Sequence, residues 1–327
     1  LEKRPRFATI RALEPVRLLQ LPEANARALL AEQPLLLYRT VQVLSGRLRE
    51  ADLQMIADLQ RKNRELAQAY RDLQAAQAAL VDKERLEHEL ELARDLQQSI
   101  LPNEFPQPPG VSFAARSRPA RQVGGDFYDV IPLSEGRLGL VMADVSDKGM
   151  PAALFMALTR SLIRAEAKRR DSPRQVLLNV HRLLMEMSRA EMFVTVFYGV
   201  LDPVRGRLRY ARAGHDHPLL FRSGSEQCNP LAAYGMPLGL VEEVDLEEAE
   251  AELGPGDRLI LYSDGITHAE SPTGDFFGLE RLRQTVSNAG PLTAQELCDL
   301  IFEHVSRFQA GAAQFDDMAL LLLSVGG

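Results

Sequence analysis

The sequence predicts an α+β protein in which antiparallel sheets are covered by helices and preceded by one long coiled-coil helix. Three observations carry this. Residues 51–100 contain neither proline nor glycine and are rich in Leu, Ala, Gln, Glu and Arg, so they read as one uninterrupted helix. Beyond Gly110, strand-like apolar runs are bunched with helical stretches inserted, without the βαβ alternation of a parallel sheet. Within that region Asp126, Asp144, Asp264 and Asp316 each occupy a short, small-residue setting, and three of them border such a run.

The 327 residues suffice for two or three domains: 1–50, 51–100 and 101–327. A net charge of -7 and a pI near 5.5 argue against nucleic acid or an anionic membrane as partner, because both repel an acidic protein. Cys228 and Cys298 lack metal-ligand spacing and make a disulfide framework improbable, which fits a reducing cytoplasm. No stretch of about eighteen apolar residues and no signal peptide is present, which predicts no membrane association. The chain begins at Leu1 rather than at methionine, which implies an upstream segment.

Residues 1–50 open with Arg4-Pro-Arg-Phe-Ala-Thr-Ile and pass into helical periodicity through Leu29, Leu30, Leu35, Val41 and Leu44. Together with Leu18-Leu-Gln-Leu-Pro this resembles the closing strands and last helices of a cyclic-nucleotide-binding domain. In that family an arginine two residues before Ala-Thr grips the cyclic phosphate, and Arg6 occupies the matching position. The resemblance implies cyclic-nucleotide regulation of a longer chain, although most of the β-roll is missing here. A short helical cap with a basic strand is the competing reading.

Along the long helix, Ile56, Leu59, Asn63, Leu66, Tyr70, Leu73, Gln77 and Leu80 recur at spacings of three and four. This heptad seam predicts a parallel homodimer, with Asn63 fixing register at some loss of stability. After Leu80 the seam fails at Glu84 and Glu87. A second one, through Leu86, Leu90, Ala93, Gln97 and Ile100, starts in a shifted phase. Pro102, Pro106, Pro108 and Pro109 then form a stiff linker.

Strands are expected at 111–115, 127–132, 138–143, 193–202, 207–213, 218–221, 257–262 and 318–325, and helices at 151–169, 173–189, 278–288 and 293–308. A carboxylate at a strand end projects from rigid backbone into the mouth of a sheet, where several can converge. Such a cluster calls for a cation, and hard oxygen ligands favour Mg²⁺ or Mn²⁺ over Zn²⁺. Individually, Gly-Gly-Asp and Ser-Asp-Gly are ordinary turn sequences.

The ordered set is more specific. Gly124-Gly-Asp-Phe-Tyr-Asp, Asp144-Val-Ser-Asp-Lys-Gly-Met-Pro-Ala-Ala-Leu, Ala213-Gly-His, Tyr262-Ser-Asp-Gly-Ile-Thr-His-Ala and Asp316-Asp-Met-Ala-Leu follow one another, led in by Ala93-Arg-Asp-Leu-Gln-Gln-Ser-Ile-Leu-Pro. This series resembles the SpoIIE/RsbU-type branch of the PPM (type 2C) metal-dependent serine/threonine protein phosphatases over residues 93–327. The resemblance implies an α-β-β-α sandwich with a centre for two Mn²⁺ or Mg²⁺ ions. Asp144 matches the bridging carboxylate and the Val145 carbonyl a ligand of the second metal. Asp264 and Asp316 match ligands of the first metal, and Asp126 the acidic group near the second. Its implied substrate is a phosphorylated STAS-type anti-sigma antagonist in bacterial partner switching.

Phosphoserine or phosphothreonine hydrolysis then needs no protein nucleophile, because a water bridging two divalent ions loses a proton near neutral pH and the ions neutralise the phosphoryl oxygens. Arg121 is a candidate phosphate contact. Asp129, Asp147 and Asp317 are expected in turn or capping roles, and His215 and His217 in structural ones, since no third soft zinc ligand is near. Ala319 stands where the family often has threonine. A catalytically weak scaffold of this fold, or a two-metal hydrolase of another phosphoester, are the competing readings.

Overall fold

The structure, a computed structural model, describes residue 9 and residues 11–102, 104–187, 192–224 and 227–326. Arg6, the expected cyclic-nucleotide contact, lies outside the described residues. The chain divides into two units, residues 1–84 and 85–327.

The first unit holds α1 (Glu23–Glu32) and most of α2 (Pro34–Ile100). Residues 11–22 form neither strand nor helix. The helix thus begins at Pro34 rather than at the expected boundary near residue 51. Proline is tolerated at the first position because its missing N–H has no helical partner there. Gly46, inside the helix, costs only about 1 kcal/mol relative to alanine. Up to Glu84 no described side chain of α2 is buried, and the apolar heptad residues Ile56 to Leu80 are 51% to 68% exposed.

In the second unit the remaining turns of α2 turn a different face inward: Leu90, Ala93 and Gln97 are partly buried. These are members of the phase-shifted second seam. Its partner in the structure is therefore the chain's own C-terminal unit, which gives the break after Leu80 a physical reason.

Two five-stranded sheets follow, every neighbouring pair antiparallel. One has the order β1 (Val111–Arg118), β10 (Met318–Val325), β9 (Arg258–Tyr262), β6 (Leu219–Arg222), β7 (Gln227–Pro230). The other runs β2 (Phe127–Pro132), β3 (Leu138–Val145), β4 (Val194–Asp202), β5 (Arg207–Ala213), β8 (Glu248–Glu252). Helices α3 (Met150–Ala167) and α4 (Pro173–Met187) cover the β2–β8 sheet, while α6 (Gly278–Ser287) and α7 (Ala294–Gln309) cover the other, with the short α5 (Asp264–Thr267) following β9. The expected α-β-β-α sandwich is present.

Strand periodicity explains the layers. In β3, Val141, Ala143 and Val145 enter the helix-facing core while Leu138, Leu140 and Met142 face the opposite sheet. In β10, Leu320 and Leu322 meet α7's core, and Leu321 and Leu323 the inter-sheet core. Burial on both faces is why these strands read as unbroken apolar runs. In α3 the small Ala152 and Ala153 are buried against the sheet, and α7 opens with a Thr293–Glu296 capping box. Both cysteines are free and buried. Among the described residues no helix is long and apolar enough to cross a membrane.

Candidate metal centre

All four candidate aspartates stand at strand ends. Asp126 immediately precedes β2, and Asp144 is the penultimate residue of β3. Since Phe127 pairs with Ala143, these two carboxylates emerge side by side from one sheet. Asp264 opens α5 just after β9, and Asp316 stands two residues before β10, the strand hydrogen-bonded to β9 in the other sheet.

Three glycines let the backbones close around this point. A Cβ on Gly265 would stand 1.9 Å from the Asp317 carbonyl oxygen, and one on Gly124 2.5 Å from Asp317 Oδ2. At Gly125 a Cβ would sit 3.0 Å from the Val145 carbonyl oxygen, so the missing side chain keeps that oxygen free. The Gly-Gly-Asp and Ser-Asp-Gly motifs thus reflect close approach, beyond ordinary turn formation.

Asp126 is buried, and its Oδ2 has no hydrogen-bond partner. Burial, reinforced by the negative charges of Asp144 and Asp317, drives its carboxyl well above the usual carboxylate range. Asp144 lies within hydrogen-bonding reach of Asp126 and is pushed up to about 7, mainly by burial and further by Asp264, Asp316 and Asp317. Asp264 is also raised, by burial and then by Asp316. Burial and mutual repulsion thus favour the protonated forms of Asp126, Asp144 and Asp264 while no cation stands among them.

Among the described residues, however, no group of three His, Cys, Asp or Glu side chains is gathered tightly enough to hold an ion as it stands. The reason is visible in the partners. Asp316 Oδ1 lies 3.0 Å from Lys148 Nζ, and Asp264 Oδ2 lies 3.4 Å from His268 Nδ1. The Lys148 ammonium draws Asp316 and the His268 ring stands beside Asp264, while Asp126 and Asp144 keep to each other. The orphaned Asp126 oxygen, the cleared Val145 carbonyl and the all-oxygen donor set fit a hard divalent ion.

The surrounding residues divide into supports and surprises. Asp317 accepts from the backbone N–H groups of Ala120 and Gly125, each at 2.7 Å, and so caps the Gly124–Gly125 loop as expected. Asp147 takes a positive φ of 69°, a turn role aspartate tolerates. Asp129 departs from expectation. It is a fully buried strand residue paired with Arg160 at 2.9 Å and Arg164 at 2.7 Å, tying β2 to α3. Arg121 is exposed, and its guanidinium would lie 3.9 Å from a Cβ on Gly149 of the Asp144 loop. His215 is buried, and burial lowers its imidazole to about 4.

Sequence reasoning missed Gln97. Its carboxamide donates to the Gly124 carbonyl at 2.6 Å and accepts from the Gly124 N–H at 3.0 Å. A cavity of about 190 Å³, lined by Arg94, Gln97, Ser117, Tyr128, Asp126 and Asp317 among others, opens beside this pair. Gln97 lies in both the phase-shifted seam and the lead-in motif, but neither marks its contact with Gly124.

This architecture is the PP2C fold: the chain superposes on the SiaA-PP2C domain of Pseudomonas aeruginosa with a TM-score of 0.64 and 20% identity, over 74% of this chain and 98% of that one. Residues 134–326 match the family model described as Stage II sporulation protein E (SpoIIE), and the chain belongs to that family. It is 34% identical over 260 residues to protein IcfG of Synechocystis sp., spanning 71% of this chain and 41% of IcfG. To phosphoserine phosphatase RsbU of Bacillus subtilis it is 29% identical over 241 residues, 74% of this chain and 71% of RsbU.

Proposed function

We propose that the chain is a protein serine/threonine phosphatase dependent on two divalent cations, Mn²⁺ or Mg²⁺. The orphaned, buried Asp126 oxygen beside Asp144 carries this reading, because a paired carboxylate buried without a cation is otherwise unfavourable. Asp144, Asp126 and the Val145 carbonyl would hold one ion, and Asp144, Asp264 and Asp316 the other. Such ions supply an activated water and neutralise phosphoryl charge.

The chain's own residues do the rest. Asp317 fixes the loop that aims Asp126. Arg121, exposed beside the Asp144 loop and without an ion pair among the described residues, is placed to meet a substrate phosphate. Neither cysteine can serve as nucleophile, since both thiols are buried and raised, Cys228 to about 11 and Cys298 to about 12.

The substrate we propose is a phosphorylated STAS-type anti-sigma antagonist, met in the cytoplasm. The relative named phosphoserine phosphatase RsbU supports the reaction class. The uncovered heptad stripe of α2 supports a parallel homodimer, since such apolar surface needs a partner helix. Through the Gln97–Gly124 pair, a change in the coil would be felt two residues from Asp126.

The test is hydrolysis of a small phosphoester and of a panel of phosphoproteins and nucleotides, with Mn²⁺ and with chelator. Mn²⁺-dependent release of phosphate from phosphoproteins in preference to nucleotides is expected. No turnover under any metal condition would leave a scaffold of the same fold.

A further inference from the structure

The two halves of the metal centre come from different sheets, and the sheets meet mainly through apolar side chains. Apolar contact is non-directional and does not by itself fix where one strand end stands relative to another. Asp317, which accepts from the Gly125 N–H, is one buried polar side chain that crosses between them at the strand ends carrying the aspartates, and His215 is another.

His215 is 3% exposed and follows β5, after Gly214 with φ 71°. Its Nε2 lies 3.1 Å from the carbonyl oxygen of Tyr262, the last residue of β9 and two residues before Asp264. A carbonyl only accepts, so Nε2 bears the proton and donates. In a ring protonated there Nδ1 is an acceptor, and Thr195 Oγ1, 2.9 Å away, donates to it. Thr195 lies directly opposite Asp144 in the β3–β4 ladder, and its hydroxyl is also 3.4 Å from the Asp144 carbonyl oxygen. The His215 backbone is itself held by Arg212, whose guanidinium donates to the His215 carbonyl.

We propose that His215 is a positioning residue of the metal centre: its ring joins β4, the strand hydrogen-bonded to the one carrying Asp144, to the strand leading into Asp264, and so sets the separation of the carboxylates from the two sheets. This inference rests on the metal-centre reading above. Residues that orient ligands in this way set metal affinity by about 10- to 100-fold.

The experiment measures Mn²⁺ binding to the full chain calorimetrically without substrate, alongside circular dichroism, melting and the Mn²⁺ dependence of phosphoester hydrolysis. His215→Leu is expected to weaken Mn²⁺ binding about tenfold and to raise the half-saturating Mn²⁺ by a similar factor. Saturating Mn²⁺ should restore most of kcat. His215→Gln, whose amide can still donate to the Tyr262 carbonyl, should recover most of the affinity, and Thr195→Val should lose about threefold. A role in folding alone would lower the melting temperature and leave Mn²⁺ affinity unchanged, which overturns the inference. Should His215→Leu fail to fold, parent-like Mn²⁺ binding in both His215→Gln and Thr195→Val overturns it equally. A parent that binds no Mn²⁺ would instead overturn the metal-centre reading, and this inference with it.

Discussion

The two halves of the centre are chemically unlike. On the β2–β3 side, Asp126 and Asp144 are desolvated, lean on each other and leave an oxygen unpartnered. On the β9–β10 side, Asp264 and Asp316 are more open, and His268 and Lys148 already stand beside them. The first half is short of positive charge, and the second carries an internal substitute for it. A cation should therefore change the first half's protonation most, and in the second it must compete with a side chain.

The largest effect expected from this asymmetry falls on Asp144, which faces both halves. Asp144→Asn should lower Mn²⁺-dependent turnover at least ~10³-fold, about 4 kcal/mol in the barrier. The same change removes the penalty of ionising a buried carboxyl, so the metal-free variant should melt no lower than the parent at neutral pH and above. Asp264→Asn should also nearly abolish turnover. Normal activity in both variants would dismantle the assigned centre.

The second prediction concerns pH. Asp144's carboxyl rises from the ordinary range to about 7 on folding, and Asp126's and Asp264's move the same way. The folded chain then holds more protons than the unfolded one between those limits. Stability is fully present below the unfolded values and is lost as pH rises through about 7. Metal-free protein should accordingly melt higher at acidic than at alkaline pH. Saturating Mn²⁺ should flatten or invert that slope, because the ion binds the deprotonated form. A melting temperature independent of pH without metal would show that the first half is not short of charge.

How much of this was legible in the sequence depends on where the information lies. Motif order located all four aspartates, and apolar runs located eight strands, because strands buried on both faces advertise themselves. The edge strands β7 and β8 went unseen: Gln-Cys-Asn-Pro and Glu-Ala-Glu-Ala-Glu contain no β-branched or aromatic residue. Their pairing is imposed by β6 and β5. Asp129 read as a turn residue because its partners, Arg160 and Arg164, lie one helix later in the chain. Lys148, Gln97 and His215 likewise act through contacts that only tertiary structure brings about.

Gln97 offers a third, smaller way to sharpen the contrast, since it bears only on the Asp126 half. Gln97→Ala removes two hydrogen bonds to Gly124, each worth about 0.5–1.5 kcal/mol. Stability to urea should fall by about 1–2 kcal/mol, and the Gly124 amide should exchange faster with deuterium. An unaltered exchange rate at Gly124 would mean that the last turns of α2 do not brace the loop.

Lys148 gives the smallest expected effect and the most direct test of competition in the open half. Its ammonium group lies 3.0 Å from Asp316 Oδ1, donates to the Phe315 carbonyl at 2.6 Å and sits 4.3 Å from the Phe315 ring centroid. Both members of the ion pair are partly exposed, so the pair is worth about 1 kcal/mol or less. Removing a competitor of that strength should tighten Mn²⁺ binding to Lys148→Ala by about twofold to fivefold, more at low ionic strength. The measurement belongs to the substrate-free protein, where any service Lys148 gives to a phosphate cannot mask the result. Weaker binding in Lys148→Ala would reverse the picture: the lysine would be holding Asp316 in place for the ion, and the two halves would differ in burial alone.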